Sequence, residues 1–342
     1  MNNKPVFSPA VIRPRALVGF LVFLGLLVMS GCSSRPERPD WLNNPAAAYP
    51  AATHLAATGS ADDRQTAADR AISNLAKIFE VEVRERSTDF SSARVNTVQG
   101  QQQVSNEQRI TRAVSAGARQ VLQGAKVVEY WQDENNPGQV HALAVLAKPP
   151  AASRFRQSIL AADREIRDLI RYASVTASNP LAALNALKQA GSAQIRRDQL
   201  NQNLMIVSDG GGITGPYDQA AIDELIRNAL GALPVMVQAA DPSVKAELQR
   251  ALTSLGVKTV AQSDYVLSGF TDLAPVSEQQ GWFWLRGSYE LMLQHRGTVM
   301  AKKRWPVKIS AADPGLLQQR ARDELNRQLP GHVFELLSTE PE

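Results

Sequence analysis

The chain of 342 residues contains one cysteine, Cys32. No internal disulfide can form, so the folded part relies on its hydrophobic core. The four histidines, His54, His141, His295 and His332, are scattered, and no two stand at the helix spacing of a zinc-binding motif. There is no Gly-x-Ser-x-Gly elbow, and the Gly-rich stretch Gly210-Gly211-Gly212-Ile213-Thr214-Gly215 runs into Pro216-Tyr217 where a phosphate loop needs Lys-Ser or Lys-Thr. No catalytic residue, metal site or cofactor is expected. Adjacent carboxylates, Asp62-Asp63, Asp133-Glu134 and Asp223-Glu224, fall at helix starts or turns, where capping and solvation explain them. Beyond residue 31 no long apolar run exists, and no basic run is interleaved with aromatics, so nucleic-acid binding is not expected.

The one long apolar run lies at the start. Arg13 and Arg15 precede Leu17–Met29, small residues Ser30-Gly31 follow, and Cys32 closes the segment ahead of Ser33-Ser34-Arg35-Pro36-Glu37-Arg38. A positive region, an apolar region shorter than the ~20 residues of a membrane span, and small residues form an export signal. The segment resembles the bacterial lipobox, which implies cleavage before Cys32, diacylglycerol on its thiol and acylation of the new amino terminus. Met29 stands where that motif usually has Leu. Several acyl chains anchor a protein without any spanning helix. Ser33, rather than Asp, after the lipidated cysteine points to the outer membrane, with the folded part facing the periplasm. Removing Lys4, Arg13 and Arg15 with the signal takes the 37 basic residues to 34, against 33 acidic, so the mature chain is nearly neutral.

About 300 residues then remain, enough for two small domains. Asp62–Arg86 repeats apolar residues at three- and four-residue steps (Ala67, Ala71, Leu75, Ile78, Phe79, Val83), which predicts a helix with Asp62 as its N-cap. The polar stretch 87–107 reads as an exposed excursion and 108–123 as a second helix. Lys126–Trp131 and Val140–Ala147 read as an antiparallel hairpin around Asn136-Pro137-Gly138, and Pro149-Pro150 as the end of the unit. Ala152–Ala173 and Pro180–Gln202 read as a helical hairpin acting as a spacer, and 208–216 as a flexible linker. After it come a helix (Asp218–Leu230), a strand (Leu233–Gln238) and a helix capped by Asp241 with Pro242 in its first turn. Strands at Val257–Ala261 and Tyr265–Phe270, two long strands, Trp282–Gln294 and Thr298–Ser310, and a closing helix, Asp313–Leu337, complete the order. The expected class is α+β, with small mixed or antiparallel sheets packed on helices. The expected division is signal 1–31, tether 32–40, first domain 41–150, helical hairpin 151–207, linker 208–216 and second domain 217–342.

Pro39-Asp40-Trp41, Ala57-Thr58-Gly59-Ser60, the alanine-rich helix, Val127–Asp133 and His141–Leu146, in that order behind a lipobox, resemble the LPP-twenty lipoprotein family over about residues 39–148. The resemblance implies a small α+β domain without catalytic residues; His141 stands where the family often has an aromatic. The order of elements after residue 217, with Ser263–Gly269, is similar to the TolB amino-terminal fold. Periplasmic activators of peptidoglycan synthases and part of a flagellar outer-ring protein share that fold. Together these imply an envelope protein that binds a protein partner or peptidoglycan, in envelope or flagellar assembly or in regulating peptidoglycan synthesis. The competing reading is an enzyme acting on cell-wall or lipid material from a cleft holding two carboxylates, one with a raised pKa.

The residues that read as a surface lie on the last two strands. Alternation assigns Phe283, Leu285, Tyr289, Leu291 and Leu293, with Val299, Ala301, Trp305, Val307 and Ile309, to a core face. The opposite face then carries Trp282, Trp284, Arg286, Met300, Lys302, Arg304 and Lys308. That mixture of aromatics and cations is common at binding surfaces and could meet a protein partner, glycan strands or anionic lipid, and it also fits a face covered by a helix with charges at its rim.

Overall fold

The computed structural model describes residues 38–94, 124–132 and 138–339. Cys32 and the expected export signal, the helix expected over 108–123, the hairpin tip with Asp133-Glu134, and the last three residues lie outside the described residues.

The first sheet has three strands in the order β1 (His54–Ala61), β3 (Val140–Ala147), β2 (Lys126–Gln132), all antiparallel. Ala57, Gly59 and Ala61 of β1 alternate inward beneath α2 (Arg64–Arg94), which follows the short helix α1 (Pro45–Ala48). The contact is close because the residues are small: a Cβ on Gly59 would lie 2.2 Å from the backbone nitrogen of Ala71, and Ala67 and Ala71 are fully buried. Arg70 and Asn74 donate to the Ser60 and Thr58 carbonyls at 2.6 and 2.9 Å, occupying acceptors of a strand paired only to β3 among the described residues.

Two expectations need correction here. The N-cap of α2 is Asp63 rather than Asp62: its carboxylate accepts from the Thr66 amide at 2.9 Å and the Thr66 hydroxyl at 2.6 Å. Because β1 runs to Ala61, both aspartates are used in turning the corner and the second one caps. Residues 87–94 continue the helix instead of leaving it, since Ser87–Arg94 contains no Gly or Pro to stop propagation.

β3 is buried on both faces, which is why Ala142–Leu146 reads as a continuous apolar run. Ala142, Ala144 and Leu146 face α2 and the following helix, while Leu143 and Val145 face Trp41, which is itself 3% exposed, with Tyr49 and Trp131 around it.

Helix α3 (Lys148–Arg171) starts directly after β3. Pro149-Pro150 therefore mark the change from sheet to helix without interrupting the chain. They occupy the first turn of a helix, where the missing amide protons have no intrahelical partner to lose. After a π-turn at Tyr172–Thr176, α4 (Pro180–Val207) is capped by Asn179, which accepts from Leu181 and Ala182. This hairpin is more than a spacer. The carboxy-terminal end of α4 puts Leu204, Ile206 and Val207 into the first core, its amino-terminal end puts Leu181 and Leu184 into the second, and Leu187, Ala190 and Ala193 pack between with Ile166, Ile170 and Ile222.

The Gly-rich segment after α4 lies along that helix. Arg197, 3% exposed, binds Asp163 at 3.0 Å and donates to the Ile213 carbonyl at 2.6 Å, while Asn201 accepts from the Ile213 amide at 2.7 Å. Side chains of α4 thus satisfy the backbone of a stretch whose composition reads as free linker.

The second sheet contains β4 (Pro234–Gln238), β5 (Lys258–Thr259), β6 (Tyr265–Leu273), β7 (Ser277–Gln279), β8 (Trp282–His295) and β9 (Thr298–Ala311). β4 runs parallel to β5 and β6; β8 pairs antiparallel with β6, β7 and β9, giving a mixed sheet. Helices α5 (Gln219–Ala232), α6 (Pro242–Ser254) and α7 (Pro314–Leu337), capped by Asp218, Asp241 and Asp313, bury Leu230, Leu248, Leu252, Val333 and Leu336 against Val237, Leu267, Leu291 and Leu293. The class is α+β.

Candidate functional site

The register of β8 and β9 places Tyr289 opposite Trp305, Leu291 opposite Lys303 and Leu293 opposite Ala301, and Tyr289, Leu291 and Leu293 are buried. The parity assignment fails at one point. A bulge between Leu293 and Gln294 inserts a residue into β9, so Val299 faces Gln294 and is 50% exposed, while Met300 packs against the core. Val299 and Met300 exchange the faces that alternation assigned to them.

Behind the sheet, the Tyr289 hydroxyl is hydrogen-bonded to His332 Nδ1, and Trp305 stacks on His332 with ring centroids 4.4 Å apart. Burial pushes the phenol up and the imidazole down, so both stay neutral near pH 7. The other histidines also lie against rings: His54 against Tyr49, His141 against Trp131 and His295 on Tyr265.

The front face carries two constellations. Lys302 Nζ lies 2.9 Å from one oxygen of Glu290 and Arg304 Nη2 lies 3.2 Å from the other, and these partners, the Lys302 hydrogen bond first, hold the Glu290 carboxyl below its ordinary range. One end of the strands has Trp284 with the Arg286 guanidinium 5.0 Å and the Lys308 ammonium 5.6 Å from its ring, within cation–π reach. Arg286 and Lys308 are direct cross-strand partners. Trp282, 46% exposed, stands at the head of β8 beside the Gln280-Gly281 turn, whose residues take φ of 54° and 74°. The structure therefore gathers Trp284, Arg286 and Lys308 at one end and Lys302 with Arg304 at the other. Sequence reasoning missed Glu290, which joins the second group, and Phe270, 50% exposed and opposite Glu290. Both follow from the same parity once β6 is placed beside β8. The helices that pack on this sheet bury the face of Leu267 and Leu291, so among the described residues no helix core covers the front.

Elsewhere the carboxylates with displaced pKa, Asp63, Asp241 and Glu335, are all pulled downward, Asp63 and Asp241 first by hydrogen bonds from Thr66 and Ser243 and Glu335 first by one from Lys303. A polar cleft where the helical hairpin meets β9 and α7 is lined by Glu165, Lys188, Arg196 and Lys303. Its acid Glu165 is bound by Arg196 at 2.6 Å, and Glu335 beside it by Lys303 at 2.8 Å. Among the described residues no group of three or more His, Cys, Asp or Glu could hold a metal ion.

Residues 39–147 match the LPP20 lipoprotein family. The match covers the first sheet with Trp41 and α2, about a third of the chain, and stops before the helical hairpin. No curated protein matches the chain. Similar solved structures include a minor lipoprotein of Acinetobacter baumannii (13% identity, 31% of this chain and 90% of that one, TM-score 0.26). A secreted protein of Helicobacter pylori is 12% identical over 81% of this chain and 97% of that one, with a TM-score of 0.40. Uncharacterized lipoprotein B of Nitrosomonas europaea is 13% identical over 31% of this chain and 82% of that one, TM-score 0.24. At these TM-scores the likenesses carry no argument about fold or function. Among the described residues no helix is long and apolar enough to cross a membrane.

Proposed function

We propose that this chain is a lipoprotein held on the outer membrane by acylated Cys32, with its folded part in the periplasm, and that it acts without catalysis by binding another component of the cell envelope. The observation that carries the reading is the match of residues 39–147 to a lipoprotein family directly behind the apolar run that ends at Cys32. In this reading 41–150 and 217–342 are two domains joined by the helical hairpin, and the front of the second sheet, with Trp282, Trp284, Arg286, Lys302, Arg304 and Lys308, is the binding surface. The partner assigns the chain to envelope or flagellar assembly, or to regulation of peptidoglycan synthesis.

Amine-reactive crosslinking in intact cells followed by mass spectrometry tests this. Adducts with periplasmic, outer-membrane or peptidoglycan-associated components are expected. Recovery of soluble cytoplasmic proteins alone would remove the whole class.

A further inference from the structure

Arg286 and Lys308 are like charges directly opposite each other on adjacent strands. Such a pair is destabilising in a sheet. The row they form continues onto Ala274, whose amide donates to the Arg286 carbonyl, and among the described residues no ion pair joins either cation to a carboxylate. The carboxylate two rows along, Glu290, is already shared by Lys302 and Arg304. Among the described residues, Asp272 of β6, opposite Ser288, is the one carboxylate nearer in the register, and no ion pair joins it to Arg286 or Lys308. The face thus carries an excess of cations over carboxylates, beside a half-exposed tryptophan.

Resting on the function proposed above, we infer that the partner is a protein that presents an acidic segment. A carboxylate of that segment enters between Arg286 and Lys308 over the edge of Trp284, and Trp282 is buried as the apolar anchor. Trp and Arg are the residue types that concentrate binding energy at protein interfaces. Placed along β8 at ~3.4 Å per residue, Trp282 to Glu290 makes a strip about 27 Å long, the reach of one extended segment.

Two considerations separate this occupant from the others. The cations over Trp284 compete for the ring surface on which a sugar would stack. A bilayer anchored through Cys32, as in the proposed function, would lie near the first unit, because residues 33–38 can span about 20 Å at most, whereas Leu184 and Leu204, in the second and first cores, are separated along α4 by about 30 Å.

The test places the photocrosslinking amino acid p-benzoylphenylalanine at position 282 of the full-length protein in its own cells. The expected product is an adduct with one protein at a peptide of net negative charge. Arg286→Glu with Lys308→Glu should lower its yield about tenfold or more, and acid-to-lysine changes at the crosslinked peptide should restore it. Thermal melting of each variant establishes folding, and Lys308→Gln, a milder change at an exposed site, should lower the yield by a smaller factor. An adduct to lipid, glycan or a second copy, a protein adduct indifferent to the charge reversal, or no adduct at 282 would overturn the inference. The same crosslinker at Gln249, on the outer side of α6, separates the two readings. Envelope adducts from there but none from 282 leave the proposed function standing and remove this surface. No envelope adduct from either position removes both.

Discussion

Tyr289, Trp305 and His332 show how single residues settle which face of the second sheet is core. The Tyr289 phenol spends its hydrogen bond on His332, and burial lowers the imidazole pKa below the ordinary 6.5, with Glu335 acting in the opposite direction. A histidine whose folded pKa is depressed binds its proton more readily in the unfolded chain. Its contribution to stability is therefore present above about pH 6.5 and is lost as the pH falls below that value. Denaturant midpoints measured between pH 8 and pH 5.5 should stay level at the upper end and decline at the lower. In His332→Phe, the decline between pH 7 and 5.5 should be shallower, because the carboxylates with lowered pKa titrate further down. An unchanged slope in that variant would show that the imidazole is not the group responsible.

At the scale of elements, what was legible in the sequence is what carries its own start or stop signal. Asp241-Pro242 became a capped helix start with proline in the first turn, and the hairpin pair Lys126–Trp131 and Val140–Ala147 became β2 and β3. β1 was not legible, because Ala56–Ala61 alternates only small residues and its inward face is defined by α2 pressing on Gly59. β7 is Ser277-Glu278-Gln279, with no apolar residue to mark it. The bulge that exchanges Val299 and Met300 leaves no trace in a pattern of alternation, although Lys302, Arg304 and Lys308 kept the face assigned to them because β9 resumes its parity at Ala301. The cap of α2 gives a direct check. Asp63→Ala should lower the melting temperature by a few degrees through loss of the Thr66 amide bond, while Asp62→Ala should leave it near wild type. Equal effects of the two substitutions would mean that both carboxylates share the cap.

For the molecule as a whole, the central element is α4, whose two ends enter two separate cores and whose buried Arg197 pairs with Asp163 of α3 and holds the following segment at the Ile213 carbonyl. The sequence shows a helical hairpin and a Gly-rich stretch; it does not show that Arg197 is buried, since an arginine in a helix of mixed composition reads as solvated. An arrangement of this kind sets the second core about 30 Å along α4 from the first. The proposed function depends on Cys32 more than on any other residue. Serine cannot form the thioether, and no described helix could replace a lipid anchor. The most direct measurement is fractionation of cells expressing Cys32→Ser, with wild-type protein alongside. The account predicts wild type in the outer-membrane fraction and the variant either unprocessed or released into the soluble periplasmic fraction. A variant that is cleaved normally and still sediments with the outer membrane would contradict it.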